Sequence, residues 1–451
     1  MAIVNEIQFP DLESKSAELF RRSCNVFPGG STRHPIMYKP YVVYAAGAKG
    51  CRITDVDGTE RIDFVNNFSS LIHGHAHPKI VEAVMGQIRQ MTSSTMPAES
   101  ALDLAELLAE RIPSVERIVF GNSGTEAVLF AVKAARAYTG RSKIAKIEGG
   151  YHGQYDQIQH SFSSTPDNWG PEDAPVTVAL DKGTPQEVLD LLVTLSPNNV
   201  EASRTVLRRH ADELAAVIVD PIPQRLVAEP LTQEYLTMLR EETANLGMVL
   251  IFDEIISFRA GYHGAQGNLG VIPDITTVAK IMGGGFPIGA MGGRKEIMSV
   301  FDASTGPVSV FHGGTFTANA VSMVAGFTAM SLLTPAAFEQ LEGQGDRLRK
   351  GMVDAGEAAN YPMQARGTAS MTHAVLTDKP FSTYRESVIS MGPDYMDKLA
   401  HFHRSMLNEG VLMSPQGAFY GSTPMNDADI DFTVEATYKS LIKLKEQFPG
   451  H

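Results

Sequence analysis

Residues 248–293 read MVLIFDEIISFRAGYHGAQGNLGVIPDITTVAKIMGGGFPIGAMGG, and this stretch decides the fold class. It contains two short apolar runs, MVLIF and ITTVA, each followed by a polar or glycine-bearing turn. Similar runs precede it (RIVFGN, KIAKIEG and LAAVIVDP), and from about residue 79 they alternate with apolar helical stretches. Short strands separated by helices predict βαβ units and a mostly parallel sheet, which places its ligand beside the turns at its carboxyl edge.

The two ends of the chain have a different pattern. A helix is predicted around Leu12 to Cys24, and strand-like runs follow (YVVYAA, CRITDVDG and RIDFV) with a hairpin signal at Asp57-Gly58. After about residue 325 the chain is helical again, with one strand-like patch near GTASMTHAVL and a final helix after Asp427. We therefore predict an α/β protein in which a large central domain, residues 71–325, accompanies a smaller α+β domain built from residues 1–70 and 326–451.

Charge and composition exclude several classes of protein. The formal net charge is −13, whereas binding to nucleic acid or to anionic lipid needs a dense basic face. No apolar run reaches membrane-spanning length, and the first residues have none of the features of a secretory signal. Cys24 and Cys51 are the only cysteines, so neither a disulfide framework nor a cysteine-built zinc site is expected. We expect a cytoplasmic protein with no nucleic-acid or membrane partner.

One predicted strand is followed by two acidic residues, and another is followed by a lysine. Asp253 and Glu254 follow MVLIF, and such acids are either simply solvated or placed at the ligand edge to stabilise a cation such as a protonated pyridine nitrogen. Lys280 follows ITTVA and precedes a glycine-rich turn that can pass close to a ligand. A lone lysine is normally a surface residue. Desolvation and a neighbouring cation would instead lower its pKa and make its amine nucleophilic towards an aldehyde.

A candidate anion site lies in RIVFGNSGTEAVLF, where a strand runs into Gly121–Thr125 and an apolar helix begins. Glycines and small hydroxyls at a helix N-terminus bind anions through free backbone N–H groups, although any capped turn has a similar sequence. The turn lacks the Gly-Lys-Ser/Thr ending of a P-loop, and GGGFPIGAMGG lacks the spacing of a dinucleotide fingerprint. The pattern therefore favours the monophosphate of a cofactor.

The turn after KIAKI reads Glu148-Gly-Gly-Tyr151-His152-Gly153. An aromatic side chain at the carboxyl end of a strand can lie flat on a planar ring, and the alternative is an ordinary interface aromatic. In chain order the sequence thus has a phosphate turn, an aromatic residue, a strand-end acid and a lysine before a glycine loop. The combination is far more specific than any of its parts.

These four features resemble the class III aminotransferases of pyridoxal 5′-phosphate (PLP) fold type I. The similarity is strongest to the branch that contains glutamate-1-semialdehyde aminomutase and the β-amino-acid aminotransferases. It spans nearly the whole chain, through FPGGSTR, DVDG, GHAHP, NSGTEA, GGYHG, IFDEIISFR, AKIMGGGFPIGAMGG and HGGTFTANAVSMVAG. The resemblance implies the fold type I architecture, with PLP bound by the large domain.

The resemblance also implies roles for individual residues. Lys280 would form the Schiff base with the cofactor and move the substrate proton, and Asp253 would pair with the pyridinium nitrogen. Tyr151 would stack on the ring, and the other cofactor-binding residues would be Ser123, Gly124, Thr125, His152, Asp220, Gly314 and Thr315.

Two of these positions have further consequences. Thr315, with Gly314, is similar to the threonine that this family lends to the phosphate of a partner subunit, so a homodimer with shared active sites is implied. Asp220, in VIVDP, stands where family members usually have glutamate, which weakens the case for its usual contact near the cofactor.

Substrate-binding residues are implied with less detail. Arg33 matches an arginine of the β-amino-acid aminotransferases and is suited to grip a carboxylate bidentately. Phe68 either forms a wall of the substrate pocket or packs in the core. Gln416 replaces a charged residue of the relatives, which speaks against aminomutase activity and leaves open how a second carboxylate is held. Arg225 could hold it by folding inward, or could be an exposed arginine without that role.

Two further features have less weight. His73, His75 and His77 alternate as metal ligands on a strand would, but Pro78 follows and no carboxylate stands at ligand spacing, so we expect no metal. The polar stretch QIQHSFSSTPDNWGPEDAP resembles the gating loop of the aminomutase branch. A mobile lid and a plain surface loop are both consistent with its sequence.

The sequence as a whole predicts a ping-pong transaminase that moves an amino group from an amino acid, possibly a β-amino acid, to an oxo acid through Lys280. A PLP-dependent aminomutase or epimerase is the alternative, because it would use the same cofactor residues. A non-catalytic PLP-binding regulator is disfavoured, since no basic DNA-binding extension is present.

Overall fold

The computed structural model describes residues 8–304 and 306–449. The described chain divides into two compact units. The large unit comprises Lys79–Phe338 and Phe381–Ile389. The small unit comprises the described residues up to Pro78, together with Glu339–Pro380 and the described residues from Ser390 onward.

The large unit is built on one sheet, in which the described residues supply seven strands. Five neighbouring strands are parallel, whereas Gly289–Gly293 runs antiparallel to both of its neighbours. In spatial order the strands are Arg117–Gly121, Gly289–Gly293, Ile275–Ala279, Val249–Asp253, Leu214–Val219, Lys143–Ile147 and Leu192–Leu195. The predicted mostly parallel sheet of an α/β protein is confirmed.

The central strands are apolar because both of their faces are covered. Every residue of Leu214–Val219, Val249–Asp253 and Ile275–Ala279 is buried. Burial of each Val, Leu or Ile side chain stabilises the fold by about 1.5–3 kcal/mol. Strand Gly289–Gly293 is rich in glycine for a different reason. A Cβ at Gly289 would overlap the carbonyl oxygen of Ser123. Only glycine therefore allows this strand to pass the start of helix Gly124–Thr139.

Helices connect these strands. Gly124–Thr139 begins with the Ser123 side chain as its N-cap, and it ends at Gly140, whose φ of 71° suits a glycine C-cap. The helix Pro78–Gln90 belongs to the large unit from Lys79 onward, and most of the helix Tyr384–Met391 belongs to it as well. The other α-helices of the large unit are Glu99–Arg111, Gly124–Thr139, Gln186–Leu189, Val200–Arg209, Gln233–Asn245, Gly264–Leu269, Lys295–Met298 and Ala320–Leu332. Short 3-10 helices are Gln224–Leu226, Ser257–Ala260, Lys280–Gly283 and Ser299–Phe301.

The small unit combines residues from both ends of the chain. One sheet contains Ala45–Lys49, Arg52–Asp55, Glu60–Asp63 and Val411–Leu412, and the other contains Gln364–Arg366, Met371–Val375 and Ala418–Tyr420. Its α-helices are Lys15–Ser23, most of Pro335–Ala359, Tyr395–Asn408 and Asp427–Gln447, and its 3-10 helices are Pro28–Gly30 and His34–Ile36. Asn66–Ser69 forms a short turn in which all four residues have positive φ. The predicted hairpin at Asp57-Gly58 is confirmed, because the strands on either side pair antiparallel and Gly58 has a φ of 86°.

The structure differs from the sequence pattern in several places. Residues 71–78 belong to the small unit and residues 326–338 to the large unit, whereas the predicted large domain spans residues 71–325. The run YVVYAA becomes a strand only from Ala45, whereas Tyr41 is buried in a cluster with Phe9 and Leu407. The segment Phe381–Ile389 belongs to the large unit, although the sequence places it in the C-terminal part of the small domain. This segment is attached to the large unit because the side chain of Tyr384 is buried in the apolar cluster on one face of the large sheet.

Among the described residues, no single helix is long and apolar enough to cross a membrane. Two consecutive helices, Ala320–Leu332 and Pro335–Ala359, are together long and apolar enough for a membrane span, but they are bent by 75° at the break between them. This similarity is one of length and composition only.

Candidate active site

Three neighbouring strands bring their polar ends to one edge of the large sheet. Asp253 is the last residue of Val249–Asp253, Asp220 follows Leu214–Val219, and Lys280 follows Ile275–Ala279. These strands are parallel, so their carboxyl ends meet at the same edge. The edge predicted from the sequence as the ligand site therefore carries two carboxyl groups and an amine.

Asp253 is held by donors from three directions. Its Oδ1 accepts hydrogen bonds from Thr277 Oγ1 at 3.0 Å and from the Ile255 backbone N–H at 3.1 Å. Its Oδ2 lies 2.8 Å from Nδ1 of His152. The sequence analysis did not identify Thr277, although a threonine in the middle of a buried strand is a usable signal, and this one is paired in register with Asp253. The carboxylate is thus fixed in orientation at the sheet edge.

His152 links the aromatic turn to this carboxylate. The residue is 1% exposed, and burial lowers the pKa of its imidazole, an effect that the contact with Asp253 opposes. A neutral imidazole that donates from Nδ1 to Asp253 satisfies both conditions. Its Nε2 is buried without a hydrogen-bond partner among the described residues. The aromatic turn therefore contacts the Asp253 carboxylate directly, through the buried imidazole of His152.

Lys280 has the properties expected of a reactive amine. Burial lowers the pKa of Lys280 to about 8, and the nearby carboxyl groups of Asp253 and Asp220 limit that shift by favouring the charged form. The residue has a φ of 52°, an unfavourable backbone conformation for a side chain of this size. The following Gly284 and Gly285 also have positive φ, so a tight turn directs the chain away from the strand end. A substantial share of the amine is therefore unprotonated at mildly alkaline pH.

Asp220 lies at the same edge but bonds within its own turn. It is 6% exposed, and its Oδ1 accepts a hydrogen bond from the Ile222 backbone N–H at 2.9 Å. Burial raises the pKa of Asp220 well above its usual value, and the nearby Asp253 carboxylate adds to the effect. Of the two carboxyl groups at this edge, Asp220 is thus the one whose protonated form burial favours.

The predicted phosphate turn has the geometry of an anion site. The Ser123 side chain accepts a hydrogen bond from the Glu126 N–H at 3.2 Å, and the Glu126 carboxylate accepts one from the Asn122 N–H at 2.6 Å. The backbone N–H groups of Gly124 and Thr125 lie in the first helical turn, where no intrahelical acceptor exists. A Cβ at Gly124 would lie 2.7 Å from Ile255, and one at Gly153 would lie 2.7 Å from Thr125 Oγ1. Glycine is required at Gly153, where φ is 101° and a Cβ would also lie 3.0 Å from the Thr125 Cα, whereas a Cβ at Gly124 would displace the end of the Ile255 side chain.

The aromatic turn is supported by a buried lysine that the sequence analysis missed. Lys146 is 0% exposed, and its Nζ donates a hydrogen bond to the Gly150 carbonyl oxygen at 2.5 Å. Burial lowers the pKa of Lys146 to about 7. Tyr151 itself is 46% exposed, and its ring meets that of Phe162 at 5.5 Å in an edge contact. The available signal was Lys146, the lysine between the apolar residues Ala145 and Ile147 of the run KIAKI.

A second support is an ion pair between residues far apart in the sequence. Glu148 is 1% exposed, and its carboxylate accepts hydrogen bonds from Arg385 Nε at 2.7 Å and Nη2 at 3.1 Å. Arg385 also donates to the carbonyl oxygens of Trp169, at 3.0 Å, and Gly170, at 2.7 Å. Trp169 is 9% exposed, so this part of the predicted gating loop is anchored rather than lying free on the surface. Nothing local in the sequence pairs Glu148 with Arg385.

We expect Arg385→Ala to destabilise the protein by about 3–5 kcal/mol, because it leaves the Glu148 carboxylate buried without its cation. Urea denaturation followed by circular dichroism measures the change. Arg208→Ala is the matched control, since Arg208 is 62% exposed and its partner Glu242 keeps a second arginine, Arg204. The control should lose about 1 kcal/mol or less. Equal losses in the two variants would contradict the role assigned to the buried pair.

The predicted substrate residues lie in the small unit, and the structure brings two of them into contact. Arg33 Nη2 donates to Asn67 Oδ1 at 2.7 Å, and its guanidinium lies 5.1 Å from the centroid of the Phe68 ring. Gln416 Nε2 donates to the carbonyl oxygen of Pro35 at 3.3 Å. Phe68 lies in a run of residues with positive φ, Asn66–Ser69, a strained conformation of the kind found at ligand sites.

The histidines of the GHAHP turn have polar partners. His75 Nε2 lies 2.8 Å from Asp63 Oδ2, and His73 Nδ1 lies 3.2 Å from Thr423 Oγ1. Asp63 is a carboxylate partner that the spacing of the sequence did not indicate. Within the described ranges, no group of three or more potential metal ligands is found.

Gly314 and Thr315 lie in an exposed loop of the large unit. The loop is attached to the chain's own sheet, because His312 Nε2 lies 2.6 Å from the carbonyl oxygen of Phe120. A Cβ at Gly314 would lie 3.7 Å from Asn122 Nδ2, beside the phosphate turn. Thr315 is itself exposed.

These residues fit a planar, protonated ring that carries one phosphate. The helix start at Ser123–Thr125 could hold the phosphate, Asp253 could bind the ring nitrogen, and Tyr151 could cover one face of the ring. Lys280 could reach an aldehyde on the same ring. Gly124 and Gly153 border the phosphate turn, and a Cβ at either position would crowd Ile255 or Thr125.

A family model described as Aminotransferase class-III matches residues 35–434. The chain belongs to the class III aminotransferases and is a PLP-dependent enzyme. It is 34% identical to a glutamate-1-semialdehyde 2,1-aminomutase 2 of an Exiguobacterium species, over 97% of this chain and 99% of the relative.

Solved structures agree with this assignment. An omega-transaminase from Sphaerobacter thermophilus is 45% identical, with a TM-score of 0.93 over 96% of this chain and 98% of that one. A transaminase with PLP bound is 40% identical, with a TM-score of 0.88 over 96% and 98% of the two chains. A beta-phenylalanine aminotransferase from Variovorax paradoxus is 30% identical, with a TM-score of 0.83 over 94% and 93%. The branch predicted from the sequence, with both aminomutases and β-amino-acid aminotransferases, is confirmed.

Proposed function

We propose that this enzyme is a ping-pong transaminase that transfers the amino group of an amino acid to an oxo acid through Lys280. The observation that carries the proposal is the meeting of a Lys280 amine with a lowered pKa and a three-donor Asp253 carboxylate at one sheet edge. The similarity to an omega-transaminase over 96% of the chain supports intermolecular transfer. The similarity to a beta-phenylalanine aminotransferase supports a β-amino acid as one donor to test.

Bound PLP supplies an aldehyde that bonds reversibly to amines and a ring that accepts electron density from the substrate. Lys280 has two roles in the proposal. Its unprotonated amine would hold the cofactor covalently, and the same amine, when free, would take up a proton from the substrate carbon and return it. A pKa of about 8 suits the first of these roles, because it leaves part of the amine unprotonated before the cofactor binds.

Asp253 supplies the fixed negative charge that the ring nitrogen needs in order to stay protonated. The three hydrogen bonds fix the orientation of the carboxylate before the reaction begins, so no free energy is needed to reorganise it during the reaction. His152 acts as a positioning residue through its contact with Asp253, and Tyr151 covers the ring. Asp220 lies at the same edge, where its Oδ1 accepts a hydrogen bond from the Ile222 N–H.

The phosphate would be held by Ser123, Gly124 and Thr125 of one molecule and by Gly314 and Thr315 of another, which requires a homodimer. Exposed apolar side chains of the large unit support such an assembly. Phe311 is 80% exposed and Phe316 is 61% exposed, and both flank the loop that carries Gly314 and Thr315. Burial of such residues against a second copy would remove a large apolar area from water.

For the substrate, we propose that Arg33 binds a carboxylate. The guanidinium is oriented by Asn67 and by the Phe68 ring, which keeps its remaining N–H groups available. Gln416 offers an uncharged amide beside the Pro35 carbonyl. We further propose a cytoplasmic enzyme of amino acid metabolism, consistent with both cysteines being free.

A PLP-dependent aminomutase or epimerase remains a second candidate, because the curated relatives at 34–36% identity are named glutamate-1-semialdehyde 2,1-aminomutase. The uncharged Gln416 argues against it, since the aminomutases that the sequence resembles have an acid there.

Turnover without an acceptor separates the two candidates. The holoenzyme is incubated with one amino donor at a time and no oxo acid, and product is counted per active site. We expect one equivalent of oxo product and then arrest, with the absorbance of the bound cofactor changing in proportion. Addition of an oxo acid should restart the reaction. Continued conversion of a single substrate without any acceptor would show an isomerase instead.

A further inference from the structure

Arg225 is an exposed arginine on a fixed turn beside the aromatic loop. It lies in Gln224–Leu226, shortly after Asp220 at the end of strand Leu214–Val219. The next two residues, Val227 and Ala228, are buried and have φ values of 54° and 56°. Such a conformation is costly for valine, so burial must hold the turn in one arrangement. The position of the arginine backbone is therefore well determined.

The guanidinium of Arg225 is held by two aromatic rings. Its Cζ lies 5.1 Å from the centroid of Phe162 and 5.9 Å from that of Tyr384. Among the described residues no carboxylate forms an ion pair with it, whereas the neighbouring Arg385 is neutralised by Glu148. Aromatic faces stabilise a guanidinium without using its in-plane N–H groups. Arg225 thus presents an orientated cation whose N–H groups have no hydrogen-bond acceptor in the part of the chain that the structure describes.

Two contacts connect this cation to the proposed cofactor site. Phe162, which lies under the guanidinium, also meets the ring of Tyr151 at 5.5 Å. A Cβ on Gly149 would lie 3.2 Å from Cβ of Arg225, so the arginine packs directly against the turn that carries Tyr151. The guanidinium is one aromatic ring away from the residue proposed to cover the cofactor.

We propose that Arg225 binds the remote carboxylate of a dicarboxylic amino or oxo acid and so selects this substrate class. The inference rests on the proposed function, because it takes Tyr151 as the marker of the reacting centre. A planar guanidinium binds a carboxylate through two parallel hydrogen bonds, which favours a substrate whose second acid group reaches it. A monocarboxylic substrate has no group for this position.

Binding of unreactive acids to the holoenzyme tests the proposal. Isothermal titration calorimetry compares glutarate, a dicarboxylate, with butyrate, its monocarboxylate counterpart, on the wild type and on Arg225→Gln. We expect Arg225→Gln to weaken glutarate binding by about 10- to 100-fold, as for loss of a charge-assisted hydrogen bond, and to change butyrate binding by less than about two-fold. The ratio of KM values for 2-oxoglutarate and pyruvate should rise in the same variant.

Arg209→Gln is the matched control, because Arg209 is an exposed arginine at the end of helix Val200–Arg209 and its loss changes the net charge equally. Glutarate binding should be unchanged in this control. Equal weakening of glutarate and butyrate in Arg225→Gln would overturn the proposal, since it would mean that the arginine only supports the loop. Selective loss of glutarate binding in a protein that transaminates no donor would support the carboxylate site while refuting the proposed reaction.

Discussion

We expect Lys280→Ala to retain bound cofactor but to lose turnover by at least about 10⁴-fold, because one side chain supplies both the nucleophile and the proton-transfer group. Phosphate binding should survive, since the turn at Ser123–Thr125 lies on a different strand end and does not depend on the lysine. Single-turnover kinetics with an amino donor, followed by the absorbance of the bound cofactor, measures the loss. Borohydride reduction of the wild type should attach the cofactor to residue 280.

The surface residue Lys133 provides the control for this experiment. It is exposed on helix Gly124–Thr139, so Lys133→Ala removes an amine from the same unit without touching the sheet edge. Turnover of the control should match the wild type. Lys280→Ala with near-normal turnover, or reduction that labels another lysine, would refute the proposed site.

The pH dependence of cofactor capture gives a second measure of the same lysine. Only the unprotonated amine attacks an aldehyde, and burial lowers the pKa of Lys280 to about 8. The rate at which apoenzyme forms the covalent bond to PLP should therefore rise with pH to a plateau, with its midpoint near pH 8. A midpoint near the ordinary lysine pKa of about 10.4 would contradict the effect of burial.

The second large effect is expected at Asp253. Asp253→Asn should slow the half-reaction with an amino donor by about 10²–10³-fold, because the amide keeps the shape of the side chain but loses the charge that holds the ring nitrogen protonated. The amide oxygen can still accept hydrogen bonds from Thr277 and Ile255, so the strand end should remain in place. The loss then reports on charge rather than on unfolding.

Asp274→Asn is the matched control for the loss of a buried carboxylate. Asp274 is 3% exposed, and it accepts hydrogen bonds from Arg240 and Arg294 at 2.9 Å, away from the candidate site residues at the carboxyl edge. This variant should lower the free energy of unfolding while the folded fraction keeps its half-reaction rate. If Asp253→Asn and Asp274→Asn slowed the half-reaction equally, Asp253 would have no special role.

The site residues at the strand ends could be predicted from the sequence. Asp253, Lys280 and the turn at Ser123–Thr125 could be identified because each follows an apolar run, and parallel strands bring their carboxyl ends to one edge. Thr277 was open to the same reasoning, since its strand register with Asp253 follows from the parallel sheet. In each case local sequence and strand geometry are sufficient.

The supports of the aromatic turn show where such reasoning stops. Glu148 and Arg385 are separated by 237 positions, and no periodicity relates them. The same is true of the placement of Arg225 beside Phe162 and Tyr384. Ion pairs and ring contacts of this kind depend on how segments pack after the sheet has formed, and many arrangements are compatible with one hydrophobic pattern.

The sequence by itself determined the mostly parallel sheet, its ligand edge and the lysine, acid and glycines along that edge, because these follow from short-range pattern and from the fixed direction of parallel strands. Only the tertiary structure decided that Lys146 and the Glu148–Arg385 pair hold the aromatic turn, and that Arg225 keeps its guanidinium on two rings without an acidic partner in the described part of the chain. The physical reason is that the burial and pairing of a charge depend on residues distant in the sequence, which become neighbours only in the folded chain.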